Sequence, residues 1–212
     1  TNPFGIPLKN ASLGSAATSL YRVNSDPNAQ CVYPFSARID GASFPFEMVN
    51  VDIEDGQGFF EREPDPQNGF HMIYRNDGRG NDSVRTGFFM LFKQGALNHQ
   101  DIGISNPVEN RLIDIATSGI SETDIWVQTL NPDTSVETHW TKVPAIFSEN
   151  ITFNNISPEI RDVFSVITRD NDQVSLRFGD GRFGNVPVGD IRVWYRTVNG
   201  QQYQIRPRDM QD

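Results

Sequence analysis

The sequence predicts a mainly β fold: antiparallel sandwich or barrel-like sheets with long loops and one or two short helical turns. Three observations predict it. Apolar and aromatic residues recur in short stretches, several of them alternating with polar residues. Gly, Pro, Asn and Asp separate nearly all of these stretches. Helical signal is scarce.

Residues 1–30 are rich in Asn, Ser, Gly, Ala and Pro and read as an extended arm or loop. At most a brief helical turn is expected there, near "SAATSLY". Strand-like stretches follow at 31–39, 44–53, 70–74, 84–92, 112–115, 124–130, 151–154, 163–168, 174–178 and 191–198. "GFFMLFKQG" is apolar at five consecutive positions, Phe88 to Phe92. Neighbours on a strand point to opposite faces, so this stretch is expected to be covered on both. "SPEIRDVF" is the best helical candidate. Ser157 can cap the first turn, and Pro158 sits where a helix tolerates proline. About two turns fit before the strand pattern resumes.

A chain of 212 residues suits one large domain or two small ones. At that length folding buries roughly 70% of the unfolded chain's surface. The expected organisation is an arm over 1–30 and a β-rich domain over 31–212. A split near 98–110, in the polar and turn-rich "NHQDIGISNPVEN", is the alternative to one continuous domain. The opening "TNPFGIPLKN" has neither an initiator methionine nor the apolar centre of a signal peptide, and reads as a fragment or a processed product.

Lysines and arginines number 18 against 27 acidic residues, for a net charge of -9. That balance argues against nonspecific nucleic-acid binding, which needs many cationic phosphate contacts. No apolar run approaches the roughly 20 residues of a membrane-spanning helix, so neither nucleic acid nor membrane is an expected partner. Cys31 is the single cysteine, so no internal disulfide framework exists; it reads as a small buried residue. His71, His99 and His139 are scattered and lack metal-ligand spacing, so no metal or other cofactor is expected. Glycosylation-type triplets begin at Asn10, Asn81 and Asn150 and bear on function only in a secreted chain.

Two constellations have chemical readings with plainer alternatives. Asp52, Glu54, Asp55, Glu61, Glu63 and Asp65 supply carboxylates of the kind that cleave glycosides, and equally read as a solvated strand end and loop. Gly78, Gly80 and Asp82 match one calcium-binding nonapeptide repeat, but such repeats work only when stacked. No Gly-x-Ser-x-Gly elbow is present, and no catalytic residue is assigned. Trp126, Trp140 and Trp194 could stack on sugars, although tryptophans more often belong to cores.

"RFGDGRFGNVPVGDIRVWYRTVNG" is the most informative stretch. Val174, Leu176 and Phe178 alternate with Gln173, Ser175 and Arg177, which marks a half-buried strand. Asn199-Gly200 is a strong signal for a type I′ hairpin. That hairpin would set Trp194 opposite Ile205 and Arg196 opposite Tyr203, with Ile191, Val193 and Tyr195 on the other face. Both faces are partly apolar and call for a partner layer. No lysine or helix follows the glycines, so a phosphate loop is not expected. Asp180 and Asp190 lack the alternating oxygen ligands of a calcium loop. Turn chemistry is the plain reading: Asp180-Gly181 turns, Gly184 and Gly189 permit unusual dihedrals, and Pro187 stiffens the bend.

The same stretch resembles a signature of baseplate wedge and baseplate J-like proteins of contractile-tailed bacteriophages. Phe178, Gly179, Asp180, Gly181, Phe183, Gly184, Pro187, Gly189, Ile191, Val193, Tyr195, Arg196 and Gly200 carry the resemblance, all within residues 178–200. It implies a structural virion component, assembled in the host cytoplasm and located in the tail baseplate. Other baseplate proteins and further copies of the chain are the implied partners. The family has no catalytic residues to carry over, so no enzyme is expected. Arg182, Arg192, Trp194, Arg196 and Tyr203 are the candidate interface residues. With Arg177, Arg206 and Arg208, the arginines among them make the carboxy-terminal third cationic. The alternative is a receptor- or carbohydrate-binding virion module built on exposed tryptophans. A glycan-cleaving enzyme using the acidic cluster comes third.

Overall fold

A computed structural model of the chain describes residues 7–13, 16–22, 31–39, 41–54, 58–67, 69–76, 78–79, 86–144, 146 and 160–199. Among these the fold is mainly β, with sixteen strands and one short 3-10 turn, as the punctuated pattern predicts. Packing divides the chain into two units, Thr1–Gly95 with Tyr203–Asp212, and Ala96–Gln202. The segment 98–110 holds the rest of the strand that opens the second unit, and the loop after it.

The first unit contains β1 (Pro7–Leu13), β2 (Ala16–Arg22), β3 (Val32–Ile39), β4 (Ala42–Val49), β5 (Val51–Glu54), β6 (Gly58–Glu61), β7 (His71–Asn76), β8 (Gly87–Phe89) and β9 (Leu91–Gln94). They form sheets in the orders β1-β2-β7-β8, β3-β4-β9 and β5-β6. Two expectations change here. Pro7–Leu13 and Ala16–Arg22 are paired antiparallel strands where an extended arm or loop, with at most a brief helical turn, was expected. Ser, Asn and Ala are poor strand formers, and β2 gains its order by pairing with β7 as well. The apolar run from Phe88 to Phe92 is two strands in two sheets: β8 pairs with β7, and β9 with β4. Met90 links them and is 47% exposed, so the run is not one strand covered on both faces. Cys31 is buried beside Val32, as a small core residue should be.

The second unit contains β10 (Ala96–Ile104), β11 (Leu112–Ile115), β12 (Ile120–Leu130), β13 (Val136–Lys142), β14 (Val163–Thr168), β15 (Val174–Phe178) and β16 (Gly189–Thr197). They form one sheet, ordered β10-β16-β12-β13-β14-β15-β11, which curls as a half-barrel. All its pairings are antiparallel except β13 with β14. Val127, Phe164, Leu176, Phe178, Ile191 and Val193 are fully buried in the core it encloses. Burying each such side chain contributes roughly 1.5–3 kcal/mol.

The helix expected over 157–164 is corrected on its described part. Ile160 to Asp162 are not helical, and Val163 already opens β14. The backbone carbonyls of Arg161 and Asp162 accept bonds from Asn185 and Thr141, and Val163 donates back to Arg161, so these carbonyls are engaged in a turn and a sheet and not in a helix. Ser157, Pro158 and Glu159 lie outside the described residues, as does the strand expected at 151–154. The 3-10 turn falls instead at Asp170–Asp172, joining β14 to β15. Asn171 and Asp172 there have φ of 59° and 53°, a region that Asn and Asp tolerate.

Candidate functional site

The stretch that carries the resemblance begins at the end of β15. Phe178 anchors it in the core and donates its backbone N–H to Arg111. The chain then folds back on itself. A Cβ on Gly179 would lie 2.3 Å from the carbonyl of Gly184, and one on Gly184 would lie 2.9 Å from Val163. Only hydrogen fits at both positions. Asp180 closes the loop by accepting the backbone N–H groups of Arg182 and Phe183, each at 2.9 Å. These bonds, the one from Phe183 foremost, hold its carboxyl below the usual carboxylate range. Gly181 takes φ of 79° and donates to the Gly184 carbonyl. Arg161 reaches across from the lead-in to β14 and donates to the carbonyls of Gly181 and Arg182. Asp180-Gly181 makes the expected turn, whereas Gly184 does not take a positive φ and is required by close approach instead. Arg182 and Phe183 sit exposed at its tip, Phe183 at 46%.

Pro187 is buried, Gly189 turns the chain at φ of 87°, and β16 begins. Its alternation is as read from the sequence. Ile191, Val193 and Tyr195 enter the core, while Arg192, Trp194 and Arg196 take the other face. The expected hairpin is corrected, because both edges of β16 are occupied. β10 pairs with all its residues, and β12 with most of them, so Trp194 stands between His99 and Trp126. Gly200 and residues 201–206, on which the turn and the hairpin register rested, lie outside the described residues.

The candidate interface residues have different surroundings. Arg182 is exposed. Arg192 makes two bonds to the Asp101 carboxylate, at 2.7 and 2.8 Å. Its hydrogen bond is the main cause that holds the Asp101 carboxyl below its ordinary value. Trp194 is buried and donates its indole N–H to Gln128 at 2.9 Å. Arg196 is fully buried, 2.8 Å from Asp124 and 6.0 Å from the Trp126 ring centroid. Tyr203, Arg206 and Arg208 lie outside the described residues. The cationic third of the chain is thus partly internal: Arg196 is paired inside the fold and Arg192 is paired on its surface. Asp124 and Gln128 escaped the sequence reading. A hint was available in "TDIWVQTL", where a polar residue falls on each side of Trp126 in an otherwise apolar strand.

Of the other constellations, Asp55, Gly80 and Asp82 lie outside the described residues. The Glu61 carboxylate lies 2.6 Å from Lys93, and Asp65 accepts the backbone N–H of Gln67. Trp140 is buried, with its indole N–H on Thr129. Trp140 and Trp194 therefore do not offer open sugar platforms, and Trp126 is half-buried near Arg196. The His99 ring packs against Trp194, tilted at 47° with centroids 4.7 Å apart. Among the described residues no three His, Cys, Asp or Glu side chains are arranged to hold a metal ion. Among them, too, no helix is long and apolar enough to cross a membrane.

A family model described as "Domain of unknown function (DUF8360)" matches residues 1–212. The chain belongs to that family. No curated protein and no solved structure matches it. Membership extends over both units, whereas the baseplate resemblance rests on the loop and strand of the second.

Proposed function

We propose that the chain is a structural component of a bacteriophage tail baseplate, a wedge subunit or a domain of one, that joins neighbouring subunits. One observation carries the reading. The segment that resembles the baseplate signature is devoted to holding shape. Gly179 and Gly184 permit a close backbone crossing, Asp180 caps the loop, and β16 is paired on both sides, by β10 and β12. A segment of that kind presents its tip, Arg182 and Phe183, on a rigid base. A subunit held in register by its neighbours needs such a base, and preorganised contacts lose less on association. The proposed action is mechanical, with no reacting group.

The test is Arg182→Glu. An exposed turn position should change stability by no more than about 0.5 kcal/mol. Association with the adjoining baseplate subunit should weaken, more at low salt than at high, because salt screens exposed charge. Unchanged affinity at both salt concentrations, with normal melting, would contradict an interface at this loop.

A further inference from the structure

We propose that copies of the chain join head to tail, the Arg182 loop of one copy seating on the Asp170–Asp172 turn of the next. Both features belong to the hairpin of β14 and β15, which pair in register from Phe164 with Phe178 to Thr168 with Val174. The 3-10 turn joins the two strands at one end, and the loop that follows β15 lies at the other. The five residues of β15 hold them roughly 17 Å apart.

The two ends differ in charge. At the loop end Arg161 and Arg182 are exposed. The Arg161 guanidinium donates to backbone carbonyls, and among the described residues no carboxylate pairs with either arginine. Asp180 spends its carboxylate on the loop's own backbone. At the turn end Asp170 and Asp172 are exposed. The neighbouring cation, Arg169, is held by Asp114 at 3.3 Å, and among the described residues no cation pairs with Asp170 or Asp172. The turn is firmly placed, because the Asn171 carbonyl accepts the Gly119 N–H at 3.1 Å. Each end also carries an exposed apolar side chain: Phe183 at 46% beside Arg182, and Ile167 at 40% near the turn.

Charge selects the occupant. The two groups cannot meet within one molecule, because the paired hairpin keeps them at opposite ends. A second copy offers each its complement, and Phe183 and Ile167 add apolar area to the contact. The two patches are different surfaces, so the contact is heterologous, and every copy keeps one of each to continue a ring or a chain. This inference deepens the subunit-joining reading by naming the loop's partner and rests on it for its biological purpose, but the two can fail separately.

Sedimentation velocity of the full chain over a concentration series should show reversible growth beyond the dimer, weakened by salt. Arg182→Glu should weaken the association about tenfold, and so should Asp170→Lys with Asp172→Asn, since each sets like charges against one another. Asn keeps the φ of 53° that position 172 takes. The three substitutions together restore opposite signs and should recover most of the association. All three positions are exposed, so urea midpoints should match those of the unsubstituted chain to within about 0.5 kcal/mol. A monomer at every concentration would overturn the proposal. So would association that stops at a dimer, ignores the turn variant, or is not recovered in the combined variant. If the turn variant changes nothing while Arg182→Glu still loosens a different baseplate subunit, head-to-tail joining alone fails. If the chain binds neither itself nor such a subunit, the joining role fails as well.

Discussion

Arg196 and Asp124 form an ion pair inside the second unit, 2.8 Å apart, with side chains 0% and 8% exposed. Arg196 lies on β16, which is paired on both sides, and Asp124 lies at the irregularity in β12, between Ile120 and Ile125. The Trp126 ring lies near the guanidinium. Taking two charges out of water is expensive, and only their pairing offsets it. The pair therefore fixes how β12 meets β16 more than it adds net stability.

Asp124→Ala leaves that guanidinium buried without its carboxylate. The expected loss is about 3–5 kcal/mol. The double variant Asp124→Leu, Arg196→Met should recover most of it. All three tryptophans lie in the second unit. Urea unfolding followed by tryptophan fluorescence therefore reports on this unit. A single variant as stable as the unsubstituted chain would mean that the pair is not desolvated.

Gly179→Ala should destabilise the second unit by about 1–3 kcal/mol, since the added methyl meets a backbone carbonyl that cannot rotate away. Gly41→Ala is the contrast. Its φ of 84° is also left-handed, but nothing lies within 4 Å of the added carbon. A smaller loss is expected there, about 1–2 kcal/mol. Equal effects in chemical denaturation would show that the close crossing at Gly179 carries no special constraint.

Thr134, in the turn between β12 and β13, has φ of 66°. A β-branched residue is strained there, while Asn131 and Ser135 already bracket the turn through hydrogen bonds. Thr134→Gly should raise stability by about 1 kcal/mol, the relief of left-handed strain less the entropy that glycine adds to the unfolded chain. A lower urea midpoint would count against the turn geometry.

The Asp180 carboxyl is depressed in the folded chain by hydrogen bonds from the Phe183 and Arg182 backbone. A depressed acid contributes stability above its unfolded pKa, about 3.9 for aspartate, and loses it as pH falls through the folded value. Asp180→Ala should thus be less stable than the unsubstituted chain at pH 6. The gap should narrow as the pH is lowered through 4 and towards 3. A gap that stays constant across that range, measured by urea midpoints, would contradict the assigned bonds.

Legibility in the sequence followed local physics. The bounds of β11, β14 and β15 match the expected ones, because alternating side chains and flanking turn residues are local signals. β1 and β2 were hidden, since their Ser, Asn and Ala content does not favour strands and pairing supplies the order. β10 was hidden for another reason. "ALNHQDIGI" is polar at its centre, where Asn98 to Asp101 are exposed, and so lacks the apolar alternation that marks a strand. The switch at Met90 and the burial of Arg196 both depend on residues distant in sequence, and no spacing rule reveals them. Among the candidate site residues, the loop chemistry around Asp180 was readable. The partners Asp101 and Asp124, which remove two arginines from the cationic patch, were not.

The most direct measurement of the joining role is immuno-electron microscopy of intact contractile tails, with an antibody against this chain. Labelling confined to the baseplate end, present before and after sheath contraction, is the predicted result. Tails that carry no label, or label only on fibres distal to the baseplate, would contradict it.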